Sequence, residues 1–178
     1  MRIFIDRNPH ETATQMELNK IIARYQEPIY WHIRRLVVSH EEARDLTQDT
    51  FVQVIGSIDS LRDQGALRSW IYRIATNLSY RLLSRKREQT HPDKELSEWL
   101  LTRLESATYV DYEDRGSLLF QQALLSLNEH RRTVFTLRYY DELSYDEIAT
   151  ITDSSSGALR VAYHEAKEQI TRYLNEHL

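Results

Sequence analysis

The chain of 178 residues carries 23 Lys+Arg against 27 Asp+Glu, a net charge of −4, with 41 % hydrophobic residues, no Cys, 4 Gly and 3 Pro. The lack of Cys excludes a disulfide framework, thiol catalysis and thiolate zinc sites, and so few Gly and Pro exclude a turn-rich sandwich or barrel. No stretch approaches the ~20 apolar residues of a membrane span, and Met1-Arg2-Ile3-Phe4-Ile5-Asp6-Arg7 is too charged for a secretory signal. The expectation is an all-α, cytoplasmic protein with no membrane insertion.

Residues 1–13 form an N-terminal tail. Thr14-Gln15-Met16-Glu17 reads as a capping box opening the helical spacing of Leu18, Ile21, Ile22 and Tyr25. Pro28 predicts a kink or break before Ile29, Ile33, Leu36 and Val37 resume the pattern. A second capping box, Ser39-His40-Glu41-Glu42, precedes the stripe Ala43, Leu46, Thr50, Phe51, Val54, Ile55 and Ile58. Asp59 to Gly65 reads as a loop, and Leu67 to Arg85 as a long helix with Ile71, Ile74, Ala75, Leu78 and Leu82 inward. These elements predict one small helical domain over residues 14–88.

Residues 89–117 read as an acidic linker without a core of its own, containing one short amphipathic pattern (Leu96, Trp99, Leu100, Leu104). A second small helical domain, residues 118–178, follows. It has a helix through Leu125, another from about Glu129 to Tyr140, and a capping box at Ser144-Tyr145-Asp146-Glu147. Charge follows the same division. Residues 14–88 hold 12 cations against 9 anions, 89–117 hold 3 against 7, and 118–178 hold 6 against 9. Such a split suggests different partners for different parts. A solvated surface explains the last third equally well.

The C-terminal pattern is a short helix (Glu147 to Ile151), a turn at Asp153-Ser154-Ser155, and a longer helix carrying Leu159, Tyr163, Ala166, Ile170 and Leu174. Asp153 tolerates a left-handed backbone and Ser155 suits a helix cap. Short helix, tight turn and long helix match a DNA-reading helix-turn-helix, although a plain helical hairpin has the same pattern. Ser155, Ser156, Arg160, His164 and Lys167 are its candidate DNA-binding residues, while Glu165 and Glu168 on the same outer face would repel phosphates.

Two segments together resemble the extracytoplasmic-function (ECF) group of bacterial RNA polymerase sigma factors. The first is Asp45-Leu46-Thr47-Gln48-Asp49-Thr50-Phe51 with Leu67-Arg68-Ser69-Trp70-Ile71-Tyr72-Arg73-Ile74-Ala75-Thr76-Asn77; the second is Leu143-Ser144-Tyr145-Asp146-Glu147-Ile148-Ala149. The resemblance spans Thr14 to Leu174. It implies a sigma region 2 that holds core RNA polymerase and opens the minus-ten element, and a sigma region 4 that reads the minus-thirty-five element. It further implies docking on the polymerase clamp coiled coil and flap, contact with promoter DNA, and an anti-sigma factor as partner.

Under that resemblance, Asp45, Gln48 and Asp49, which share one helix face, become the polymerase-binding residues. Arg62, Asp63 and Gln64 lie in the loop that pockets a flipped minus-ten base. Arg73, Asn77, Arg81 and Arg85, recurring every fourth residue, form a stripe suited to a phosphate backbone, with Asn77 able to bond a base edge. Trp70, Tyr72 and Tyr80 offer faces for unstacked bases, with Trp70 equally suited to the core. The linker's charge fits a basic channel, the RNA-exit path in the family, or simply a solubilising tether.

The pattern also departs from the family. The stretch from Gly157 to Glu165 keeps only Arg160 of the family's basic run, with Ala162 where an Arg is common, so minus-thirty-five binding should be weak; the turn also has Asp153 where Gly is usual. No catalytic constellation, metal site or cofactor motif is legible: Glu88-x-x-His91 runs into Pro92, and no phosphate-binding Gly loop occurs. An enzyme is therefore not expected. Two rival readings stay open: a stand-alone helix-turn-helix regulator, and a polymerase-binding adaptor with weakened promoter reading.

Overall fold

The computed structural model describes residues 9–106 and 115–178. The first eight residues of the expected tail and positions 107–114 of the expected linker lie outside the described residues. Among the described residues, eight α-helices run α1 (Pro9–Val37), α2 (His40–Ser57), α3 (Leu67–Thr90), α4 (Leu96–Ser106), α5 (Arg115–Leu125), α6 (Glu129–Phe135), α7 (Tyr145–Thr152) and α8 (Ser156–His177). Two short 3-10 turns link α2 to α3, and a π-helical turn, Thr136–Tyr140, extends α6. No strand occurs among the described residues.

Three local expectations need correction. Helix α1 starts before Thr14 and runs through Pro28, so the first capping box and the break are not realised. Proline lacks the N–H and crowds the preceding turn, but Tyr25, Ile29 and Ile33 are buried on either side and hold both halves on one axis. At the start of α2, Ser39 accepts from the Glu42 backbone N–H at 3.3 Å. The Glu42 carboxylate does not return to complete the box. It takes Lys86 of α3 on one oxygen and Arg103 of α4 on the other, the latter at 2.7 Å. Ile55, placed on the inner stripe, is exposed.

The joint between α1 and α2 is made by Val38 at φ 71°, a left-handed position where glycine is usual. Burial of the Val38 side chain offsets the strain. The Arg34 guanidinium, itself buried, donates to the Val38 carbonyl and closes the turn.

One apolar core runs through both predicted domains. It takes Ile29, Ile33 and Leu36 from α1, Phe51 and Val54 from α2, Ile71, Ala75 and Leu83 from α3, then Leu125, Leu137, Leu143, Ile148 and Leu159 from the C-terminal half. A smaller cluster of Ala123, Leu124, Leu127, Phe135, Ala166 and Ile170 joins α5 and α6 to α8. On α3 the buried face is rotated from the expected one: Tyr72, Thr76, Ser79 and Tyr80 are buried, while Ile74, Leu78 and Leu82 are half-buried. The cause is that α3 packs on the first unit and also on α7, so its polar side is covered too.

The helix in the linker is part of this core. Trp99 (4 % exposed), Leu100 and Leu104 are buried in the main cluster, and Arg103 ties α4 to Glu42. Trp99→Ala is therefore expected to destabilise the fold by about 3–5 kcal/mol, the range for emptying a buried tryptophan site. Denaturant unfolding measures it; a change under about 0.5 kcal/mol, typical of surface positions, would mean that α4 is a passive tether.

Candidate nucleic-acid interface

Helix α2 presents Asp45, Gln48 and Asp49 to solvent, opposite its buried Ala43, Leu46, Thr50 and Val54. Beside them, Trp31 of α1 and Val52 and Ile55 of α2 are exposed along an open groove between the two helices. Carboxylates rimming an exposed apolar groove suit a basic, partly apolar helical partner.

The turn between α2 and α3 holds Arg62, Asp63 and Gln64, all exposed. Asp63 caps the short turn before α3, its Oδ1 accepting the Gly65 N–H at 2.8 Å. A Cβ at Gly65 would press on that same oxygen at 3.1 Å. Asn77, Arg81 and Arg85 line the outer face of α3 and are exposed.

Arg73, the first member of that stripe, is engaged. Its guanidinium donates to the Thr150 carbonyl at 3.0 Å and to Asp153 Oδ2 at 3.0 Å, both at the α7–α8 turn. Tyr72 and Tyr80 are buried. Tyr72 stands edge-on to His32, and burial beside the Asp141 carboxylate pushes its hydroxyl well above the ordinary phenol range. The Tyr80 hydroxyl donates to the Glu129 carbonyl at 3.3 Å and accepts from Arg132 Nε at 3.4 Å. In this arrangement neither ring offers a face to a base; Trp70 is half-buried.

The helix-turn-helix is built as its local chemistry predicts. Ser144 and Glu147 close a full capping box at the start of α7. Asp153 adopts the left-handed conformation (φ 53°, ψ 36°), and Ser155 caps α8 by accepting from the Ala158 N–H at 3.2 Å. Ser156 donates to Asp146 Oδ1 at 2.9 Å, fixing the two helices across the turn. Of the outer residues, Arg160 lies over the Tyr145 ring, Lys167 over the Tyr163 ring, and His164 is exposed 3.4 Å from Glu168. Glu165 is withdrawn from the outer face by Arg131, at 2.6 Å.

A buried polar joint holds the two halves together, and the sequence pattern did not reveal it. His32 Nδ1 meets Asp141 Oδ2 at 2.7 Å, and Nε2 meets the Thr76 hydroxyl at 2.9 Å. An ionised carboxylate only accepts, so Nδ1 carries the donated proton. Arg68 donates to the Asp141 carbonyl and lies 3.5 Å from Glu147. Arg35 sits 3.9 Å from Asp141 and stacks over the Tyr140 ring at 4.0 Å. The His32–Thr76 bond ties α1 to α3, and the other contacts join α1 or α3 to the segment from the π-helical turn to α7.

With this geometry in view, the chain matches the sigma-70 region 2 model over residues 21–89 and the sigma-70 region 4 model over residues 117–170. It is 30% identical over 164 residues to the ECF RNA polymerase sigma factor SigW of Bacillus subtilis, covering 88% of each chain. It is 31% identical over 162 residues to the RNA polymerase sigma-H factor of Pseudomonas aeruginosa, covering 86% of this chain and 84% of that one. The sigma factor RpoE of Bartonella quintana, solved with the anti-sigma factor NepR, superposes with a TM-score of 0.70 at 19% identity over 89% of this chain and 97% of that one. CnrH, solved with the cytosolic domain of CnrY, gives a TM-score of 0.65 at 19% identity over 91% and 90%.

The class is thus the sigma factors of bacterial transcription. Within it, this chain belongs to the ECF group of RNA polymerase sigma factors.

Proposed function

We propose that this sigma factor works through two domains, residues 14–88 and 118–178, that separate when it engages core RNA polymerase. Asp45, Gln48 and Asp49 dock on the clamp coiled coil, and the C-terminal domain meets the flap. Arg62, Asp63 and Gln64 pocket a flipped minus-ten base. Arg73, Asn77, Arg81 and Arg85 follow the opened strand, and α8 reads the minus-thirty-five element through Ser155, Ser156, Arg160, His164 and Lys167. The polymerase performs the chemistry; this cytoplasmic chain contributes recognition rather than catalysis. An anti-sigma partner is part of the proposal, supported by one structural relative, the sigma factor RpoE, solved with an anti-sigma factor.

The observation that carries the reading is the Arg73 contact with Thr150 and Asp153. It joins α3 to the helix-turn-helix, which supports reading this arrangement as a closed, resting form in which each proposed DNA element covers part of the other. Run-off transcription with core bacterial RNA polymerase, this protein and a promoter library tests it. Promoter-specific products are expected only when the protein is present, and their absence overturns the reading.

Within that assay, Arg81→Ala and Arg85→Ala are expected to reduce promoter opening in a salt-sensitive way. Each lost phosphate contact lowers the salt slope by about one unit. Asn77→Ala is expected instead to change which promoters are used. Equal losses on all promoters would remove Asn77 from base reading.

A further inference from the structure

Helix α8 packs inward through Leu159, Ala162, Ala166 and Ile170, all buried. At 100° per residue the line directly opposite runs through Gly157, Val161, His164 and Glu168. Arg160 and Lys167 lie to one side of that line, held over Tyr145 and Tyr163. The axis of the outward face is therefore not cationic. At its N-terminal end it is glycine, then valine.

Neither residue is explained by the fold. A Cβ at Gly157 would meet nothing within 4 Å, so no packing demands glycine, and none of the glycines has a positive φ. Val161 is 58 % exposed, touches no core cluster, and is a poorer helix former than a Lys, Glu or Ala in its place. Its β-branch is stiff in a helix, so its two methyls are held in one direction. A smooth apolar knob beside a residue with no side chain, flanked by Arg160, fits one element of the major groove, the C5-methyl of thymine.

We infer that Val161 is a specificity-determining residue that reads a thymine methyl in the upstream promoter element, with Gly157 admitting the DNA close to the helix. Arg160 and Lys167 position α8 on phosphates and Val161 supplies the discrimination. The inference rests on α8 being the promoter-reading helix, and it explains how a recognition helix with few cations can still be selective.

The test uses holoenzyme reconstituted from core RNA polymerase and this chain. A DNA library randomised upstream of the start site is selected by transcription, and the selected sequence is resynthesised with deoxyuridine replacing each thymine in turn. One position is expected at which loss of the methyl lowers wild-type transcription about fourfold, the equivalent of one buried methyl-sized group. With Val161→Ala, deoxyuridine at that position should make no further difference. Ala is the better helix former, so the variant should keep its fold, checked by helix content. Deoxyuridine tolerated everywhere, or costing the same in wild type and variant, overturns the role of Val161 while leaving upstream reading intact. A selection that returns no upstream preference at all overturns both.

Discussion

Asp141→Ala is expected to open the protein without unfolding it. Asp141 is almost fully buried and serves His32 through Oδ2, while Arg35 approaches its other oxygen. Removing the carboxylate leaves the His32 Nδ1 donor and the Arg35 charge without their acceptor at a joint between the two halves. One buried donor left unmet, on His32, costs about 1–3 kcal/mol, so closed against open shifts by roughly five- to a hundredfold; Arg35, a quarter exposed and 3.9 Å away, adds little. The contact of Arg73 with Asp153 is too exposed to compensate, since surface pairs contribute about 0–1 kcal/mol. Because the chain has no Cys, dyes can be placed specifically through cysteines introduced at the exposed Gln53 and Thr171. Energy transfer between them should fall in Asp141→Ala while helix content holds. Single-stranded DNA binding by the free variant should rise as Arg73 is released. Unchanged transfer with intact helices would mean that the joint does not control closure.

The second large effect is expected at the polymerase. Asp45→Ala with Asp49→Ala removes two exposed carboxylates from the outer face of α2, so stability should move by less than about 0.5 kcal/mol. Affinity for core RNA polymerase should fall by roughly a hundredfold, about 2–5 kcal/mol in total, if docking buries at least one of the two carboxylates against a cation. The loss should appear chiefly in the dissociation rate. Titration of labelled protein with core enzyme measures it. Wild-type affinity in the double variant would remove this face of α2 from the docking surface and leave the neighbouring groove around Trp31 as the candidate.

The two halves of the molecule were not equally legible in sequence. The α7–α8 unit was read almost residue by residue: the Ser144–Glu147 box, the left-handed Asp153 and the Ser155 cap are all bonds within a few positions of one another. Signals of that range survive in a single sequence because the chain itself supplies both partners. The joint was invisible for the opposite reason. His32 and Asp141 stand 109 positions apart, and nothing about a histidine in an amphipathic helix indicates which carboxylate it will meet. Tyr72 and Tyr80 are buried rather than open to bases, and were hard to read on the same ground, since an aromatic on a helix beside arginines looks equally like a platform for bases and like a wall of the core. Pro28 does not end α1: its local penalty is real, but the buried residues on both flanks outweigh it. Glu42 shows a subtler failure, because a carboxylate that completes a local box in isolation prefers two cations brought by α3 and α4.

Helix α4 has a consequence for distance. Its 11 residues occupy about 16 Å as a docked helix. Unwound, the same residues reach roughly 36–40 Å. The segment therefore stores about 20 Å of slack inside the closed protein, locked by Trp99, Leu100 and Leu104. If the domains spread across a promoter as proposed, they would not stretch a tether already at its limit. They would pay out a reserve whose release exposes a tryptophan and two leucines, so the span that the open form can reach is coupled to the energy that holds the closed form shut.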